Sequence, residues 1–189
     1  AAAVGRFVRV DMESLDYVQP TLDLFAALWP RYKNVGVVIQ SYLYRSADDV
    51  ARLVEMGASV RLVKGAYDEP PEVAFPDKAD TDANYVRLME LLFSAEAQAR
   101  GVFPAIATHD ERLIAWVQEH TRQRGISPQR FEFQMLYGIR PGLQRQLATR
   151  GYRVRAYVPY GREWYPYFMR RLAERPANVL FIARNLLRA

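Results

Sequence analysis

Strand-like and helix-like segments alternate along the whole of this sequence, and that alternation restricts its fold more than any other feature. Short apolar or period-two runs mark six candidate strands: Phe7–Asp11, Val35–Gln40, Val60–Lys64, Ala105–His109, Phe131–Leu136 and Arg153–Val158. Helical patterns fill the intervals, over Thr21–Trp29, Ala47–Met56, Ala83–Arg100, Glu111–Arg122, Pro141–Arg150 and Trp164–Glu174. Local punctuation agrees. Ser46 with Asp49 resembles a capping box, and Gly57 stands where a C′ glycine belongs. Asp110 is a candidate N-cap, and Pro141 opens a helix that Gly151 closes. Strands separated by helices in this way pair in parallel through right-handed crossovers.

Two architectures satisfy that pattern, an open doubly wound sheet and a barrel. No G-x-G-x-x-G follows the first strand, which weakens the nucleotide-binding version of the open sheet. The strand ends favour the barrel. Asp11, Gln40, Lys64, Thr108-His109, Tyr137 and Tyr157 each close an apolar strand with a polar or aromatic group. Catalytic groups of barrel enzymes occupy that end, although loops are polar for ordinary reasons as well. The expected class is α/β, a (β/α)₈ TIM-like barrel of which this chain supplies about six strands. Residues 1–189 are then expected to form a single catalytic barrel domain lacking its first strands.

Composition narrows the function. The chain has no cysteine, which removes disulfides, thiol nucleophiles and cysteine-ligated metals, and two histidines are too few to suggest a metal centre. A net charge of +5 invites a nucleic-acid reading. The basic residues are spread among acids with no recognition motif, so an anionic ligand or membrane surface is the better expectation. The apolar runs are too short to cross a bilayer, and no signal-peptide pattern opens the sequence. A cytoplasmic protein, peripheral at most at the inner face of a membrane, is expected.

Four segments carry candidate chemistry. On a helix, Tyr167, Arg170, Arg171 and Glu174 share one face. Two adjacent guanidinium groups suit a small carboxylate, or they form a solvated basic face with Glu174 as a partner. Val60-Arg61-Leu62-Val63-Lys64-Gly65-Ala66-Tyr67 is a buried-strand pattern holding two cations; Arg61 and Lys64 point to opposite faces. They suit phosphates or an electron-rich ring, or pair with acids of neighbouring strands. Thr108, His109 and Asp110 offer a hydroxyl, an imidazole and a carboxylate, with His109 as a base, a hydrogen-bond donor or a structural residue. Phe131-Glu132-Phe133-Gln134 alternates apolar and polar side chains, one face for packing and one for a polar barrel interior.

Together these segments resemble the proline dehydrogenase family. The matching pieces are Val8-Arg9-Val10-Asp11, Val37-Val38-Ile39-Gln40-Ser41-Tyr42, the Val60–Tyr67 run, Ala107-Thr108-His109, Phe131-Glu132-Phe133-Gln134, and Tyr157-Val158-Pro159-Tyr160-Gly161 with the Arg170-Arg171 helix. The resemblance implies non-covalent FAD in a distorted barrel. It implies oxidation of L-proline to Δ¹-pyrroline-5-carboxylate, with electrons passed to a membrane quinone and a pyrroline-5-carboxylate dehydrogenase as a further partner. By the same resemblance, Arg170 and Arg171 grip the proline carboxylate. Tyr157, Tyr167 and Leu136 surround its ring, and Asp11 orders the substrate side of the pocket. Arg61 lies near the flavin N5 and Gln40 against the isoalloxazine. Val63, Lys64, Gly65 and Ala66 form the strand end against the flavin. Thr108, His109 and Lys78 stand near the phosphates and adenosine, and Glu174 steadies the last helix and the cofactor. Two departures stand out. The family's active-site lysine on the first barrel strand has no counterpart here, and Asp68 follows Tyr67 where some members carry an aromatic. The rival readings are a barrel lyase with Lys64 as Schiff base, and a non-catalytic subunit completing another chain's barrel.

Overall fold

In the computed structural model of the chain, residues 1–161 are described. Six strands form one sheet in sequence order: β1 (Val8–Arg9), β2 (Val35–Gln40), β3 (Ser59–Val63), β4 (Phe103–Ala107), β5 (Glu132–Leu136) and β6 (Val154–Tyr157). The pairings of β1 with β2, β2 with β3, β3 with β4 and β4 with β5 are all parallel. The Phe133 N–H continues the ladder to the carbonyl of Arg153, just before β6, at 2.9 Å. In-order parallel strands joined by helices are the arrangement of a TIM-like barrel, one of the two architectures that the alternation in the sequence allows. The chain divides into two compact units, residues 1–156 and 157–189. The first carries the sheet almost entirely.

The helices are α1 (Leu15–Leu28), α2 (Ser46–Glu55), α3 (Lys78–Leu92), α4 (Ala95–Arg100), α5 (Glu111–Gln123) and α6 (Pro141–Thr149). Three expectations need correction. α1 begins at Leu15, six residues before Thr21, and carries Pro20 inside it. The single helix expected over Ala83–Arg100 is two. The break falls at Phe93-Ser94, where the Ser94 hydroxyl caps α4 by accepting from the Ala97 N–H at 3.1 Å. The Ser46–Asp49 capping box does not form. Ser46 Oγ donates to the Leu43 carbonyl at 2.7 Å, and Asp49 takes the Arg45 guanidinium instead. The end of α2 does match its sequence signature. Gly57 N–H reaches the Val54 carbonyl and Ala58 N–H the Leu53 carbonyl, a Schellman closure with Gly57 at φ +66°. A Cβ at Gly57 would lie 2.4 Å from the Arg100 carbonyl oxygen, so this turn can also pack directly on the end of α4.

The pleat sorts the strands into two faces. One face turns toward the helices and is apolar: Val37, Ile39, Val60, Leu62, Ile106, Phe133 and Met135 are buried against them. Burying each such side chain contributes roughly 1.5–3 kcal/mol. Phe93, Phe131, Phe133 and Tyr152 extend this core as edge-to-face rings with centroids 5.3–5.6 Å apart. The buried Tyr85 hydroxyl is satisfied by the Leu62 carbonyl at 2.9 Å. The opposite face is polar. The register aligns Arg9 with Gly36, Val38 with Arg61, Gln40 with Val63, Ala105 with Glu132 and Ala107 with Gln134. Half of the alternation is thus spent on core and half on a charged interior.

Candidate functional site

The polar face is held together from its floor upward. Arg9 crosses above Gly36, where a Cβ would lie 2.5 Å from its Nη1, and donates to the carbonyls of Val37 (3.1 Å) and Ser59 (2.9 Å). Burial and the nearby charge of Arg61 push its pKa down to about 9, so it remains a cation at neutral pH. One layer higher, Arg61 Nε donates to Gln134 Oε1 at 2.6 Å and its Nη1 to Asp11 Oδ1 at 3.2 Å. Gln134 Nε2 donates to Glu132 Oε1 at 2.5 Å, and Glu132 receives Arg155 through Nε (2.7 Å) and Nη2 (2.9 Å). Burial alone would raise the Glu132 carboxyl; the bonds from Arg155 and Gln134 outweigh it and hold the group below its ordinary range.

At the strand ends above this layer, Gln40 is buried. Its Nε2 donates to the Glu13 carbonyl at 3.2 Å, and its Oε1 has no hydrogen-bond partner among the described residues. A buried acceptor left open in this way fits a ligand that brings an N–H donor, and an unpaired one would be costly. Val63 lies beside Gln40 in the register and ends β3. Beyond it, Gly65 takes φ +115°, and a Cβ there would sit 2.2 Å from Tyr42 Cδ1, so the Tyr42 ring covers the turn through Gly65 and Ala66. Tyr67 hydroxyl donates to Glu13, which brings the same turn back to the loop after β1.

Lys64 points the other way, as its spacing from Arg61 implies. Its Nζ lies 2.5 Å from Asp82 Oδ1 on α3 and 3.3 Å from Asp110 Oδ2 at the start of α5. Lys78 binds Asp82 at 2.6 Å, and Arg112 binds Asp110 at 3.1 Å. Three cations thus face two carboxylates, a net charge of +1 on the cluster. The Arg112 hydrogen bond, against the opposing effect of burial, holds the Asp110 carboxyl far below its ordinary range. Burial opposes ionisation of Asp82 too, and its bonds to Lys64 and Lys78 still hold it down. The surplus cation stands at the first turns of α3 and α5, where helix N–H groups also favour anions, so phosphate oxygens suit this corner. Buried Thr108 sits at its edge, with Oγ1 accepting the Asp110 N–H at 3.1 Å. His109 is turned to β5: its Nε2 accepts the Leu136 N–H at 3.0 Å.

The structure therefore brings Asp11 to Arg61, joins Lys64 and Lys78 through Asp82, and joins His109 to Leu136. Tyr157 is the last residue of β6 and belongs to the second unit. Tyr167, Arg170, Arg171 and Glu174 lie outside the described residues. Arg9, Asp82, Arg112 and Arg155 were not singled out as site residues from sequence. The signal for two of them was present: Arg9 and Arg155 are charges at strand positions in step with Asp11 and Tyr157, which puts them on the inward face.

Comparison with known proteins gives concordant results. The chain matches the family described as proline dehydrogenase over residues 1–184. It is 49% identical to a proline dehydrogenase of Deinococcus radiodurans over all of its own length and 60% of that protein's. It is 44% identical to proline dehydrogenase 1 of Bacillus subtilis, over 96% of this chain and 58% of that one. The chain thus spans about 60% of the length of these curated relatives. Among solved structures, proline utilization A from Bdellovibrio bacteriovorus, inactivated by N-propargylglycine, superposes with a TM-score of 0.83 at 34% identity, covering 90% of this chain and 20% of that one.

Proposed function

The chain belongs to the proline dehydrogenase family, and from that premise we propose that it forms the larger part of an enzyme that oxidises L-proline to Δ¹-pyrroline-5-carboxylate with FAD. The observation that carries the cofactor reading is the open, buried Oε1 of Gln40 beside Arg61, with the net-positive Lys64–Lys78–Arg112 corner a short way round the strand ends. An N–H-bearing ring with a phosphate tail satisfies both. FAD, when bound, supplies the acceptor for the hydride that leaves proline C5. Everything else falls to the protein: holding the ring, fixing the amino acid and excluding water.

In this reading Gln40 and Arg61 contact the isoalloxazine, with Arg61 near N5. The Val63–Ala66 strand end lies against it. Lys64, Lys78, Thr108 and His109 flank the phosphates and adenosine. Arg170 and Arg171 grip the proline carboxylate by charge-assisted hydrogen bonds, each contributing roughly 1.5–3 kcal/mol. Tyr157, Tyr167 and Leu136 wall the pyrrolidine, Asp11 orders the substrate side, and Glu174 steadies the closing helix. Electrons then pass to a membrane quinone by peripheral docking at the inner face of the membrane, and the product goes on to a pyrroline-5-carboxylate dehydrogenase. No described helix is long and apolar enough to cross a membrane. Residues 1–189 act as one catalytic domain, completed by strands of the longer protein. Arg170→Met tests the substrate side: the KM for proline should rise at least roughly tenfold through loss of a carboxylate clamp. An unchanged KM would contradict it.

A further inference from the structure

We propose that Gln134 is a positioning residue for the oxidation, holding the plane of the Arg61 guanidinium through a one-way hydrogen-bond relay anchored on Glu132 and Arg155. The inference rests on the function proposed above, in which Arg61 meets the isoalloxazine.

The relay has a fixed direction. A guanidinium has donors only, so the side of Gln134 that meets Arg61 Nε at 2.6 Å must be its carbonyl oxygen. Its amide nitrogen then faces Glu132, which can only accept while ionised, at 2.5 Å. The Glu132 carboxylate is fixed in turn by the two-point grip of Arg155, at 2.7 and 2.9 Å. Glu132 and Gln134 are 3% and 4% exposed, so neither amide nor carboxylate has much room to turn toward water. At the other end, Asp11 Oδ1 takes Nη1 of the same guanidinium at 3.2 Å. Contacts at Nε and at Nη1, with the Cδ attachment as a third point, fix the guanidinium's plane as well as its place. Burial of a charged row of this kind is not needed for a stable barrel, since apolar side chains fill the same layers elsewhere. The row makes sense as a device for presenting Arg61.

The experiment uses the full-length, flavin-loaded protein and three variants: Gln134→Leu, Gln134→Met and Glu132→Gln. Gln134→Met keeps the length of the side chain and removes both polar atoms, whereas Glu132→Gln keeps an acceptor for the Gln134 amide and so preserves the direction of the relay. The readouts are the limiting rate of flavin bleaching by L-proline without oxygen, the KM for proline, and the flavin midpoint potential. Misplacing Arg61 in Gln134→Leu should slow bleaching roughly ten- to hundredfold. The potential should become more negative, and the KM should change less than about threefold, because the carboxylate clamp is elsewhere. Gln134→Met should be slowed as Gln134→Leu is, and Glu132→Gln should stay within about threefold of wild type. A Gln134→Leu protein that bleaches at the wild-type rate and potential overturns the proposal. If Gln134→Leu does not fold, the other two decide: a Gln134→Met protein as fast as Glu132→Gln overturns it. Failure of the functional reading is separate and visible first, as a wild-type protein that L-proline does not bleach; the inference would then fall with it.

Discussion

The main-chain N–H of Leu136 donates to His109 Nε2 at 3.0 Å, tying the last residue of β5 to the turn beyond β4. A ring nitrogen that accepts an N–H carries no proton, so His109 is the neutral Nδ1–H tautomer. Nitrogen NMR of the imidazole should find Nε2 unprotonated at neutral pH. His109→Phe should leave the Leu136 amide short of its acceptor and destabilise the fold by about 1–2 kcal/mol. Chemical denaturation measures this; an unchanged midpoint would show that the bond is absent in solution.

Gly65 and Gly101 both hold positive φ, at +115° and +77°, but their surroundings differ. A Cβ at Gly101 meets nothing within 4 Å, so Gly101→Ala should cost only the left-handed backbone, about 1 kcal/mol. A Cβ at Gly65 would collide with the Tyr42 ring, so Gly65→Ala should cost clearly more, above about 2 kcal/mol. Equal losses in thermal or denaturant unfolding would contradict the packing of Tyr42 over this turn.

Three carboxylates, Asp82 and Asp110 at the strand ends and Glu132 in the interior, are held below their ordinary range in the folded chain. A depressed folded pKa means that the unfolded chain binds protons first as pH falls. Their stabilisation should therefore be complete above the unfolded carboxylate range of about 4 and be lost progressively as pH drops below it. Lys64→Met removes a partner of both Asp82 and Asp110. It should lower stability at pH 7 by about 1–2 kcal/mol and flatten the acid limb, without abolishing it because Arg112 still binds Asp110. An acid limb as steep as wild type would contradict the pairing.

The same two ion pairs bear on the lyase reading. A Schiff-base lysine must present a neutral amine to a carbonyl, whereas Lys64 is committed to two carboxylates. Borohydride treatment with a carbonyl compound should leave Lys64 unmodified by mass spectrometry; a reduced adduct there would revive that chemistry.

Much of this was legible in the sequence because barrel strands advertise themselves twice, by apolar runs and by the turn residues after them. β2 falls at Val35–Gln40, the range its residues suggest, and Gly57 closes α2 as a C′ glycine should. The opposite facing of Arg61 and Lys64 followed from their spacing alone. What was not legible depends on tertiary partners. Ser46 and Asp49 had the right spacing for a capping box, but Leu43 and Arg45 offered competing bonds. The break at Ser94 lies inside a continuous helical pattern, and only the local serine cap marks it. Asp82 and Arg112 enter the cation corner from α3 and α5, so no single motif contains them. Arg155 shares its strand parity with Arg153, and only Glu132 across the sheet sets it apart.

The flavin-dependent proline oxidation proposed for this chain is tested by the visible spectrum of the purified full-length protein before and after L-proline is added without oxygen. A yellow protein whose flavin absorption bleaches on addition of the amino acid is the expected result. A colourless protein, or a yellow one that L-proline leaves unbleached, would contradict it.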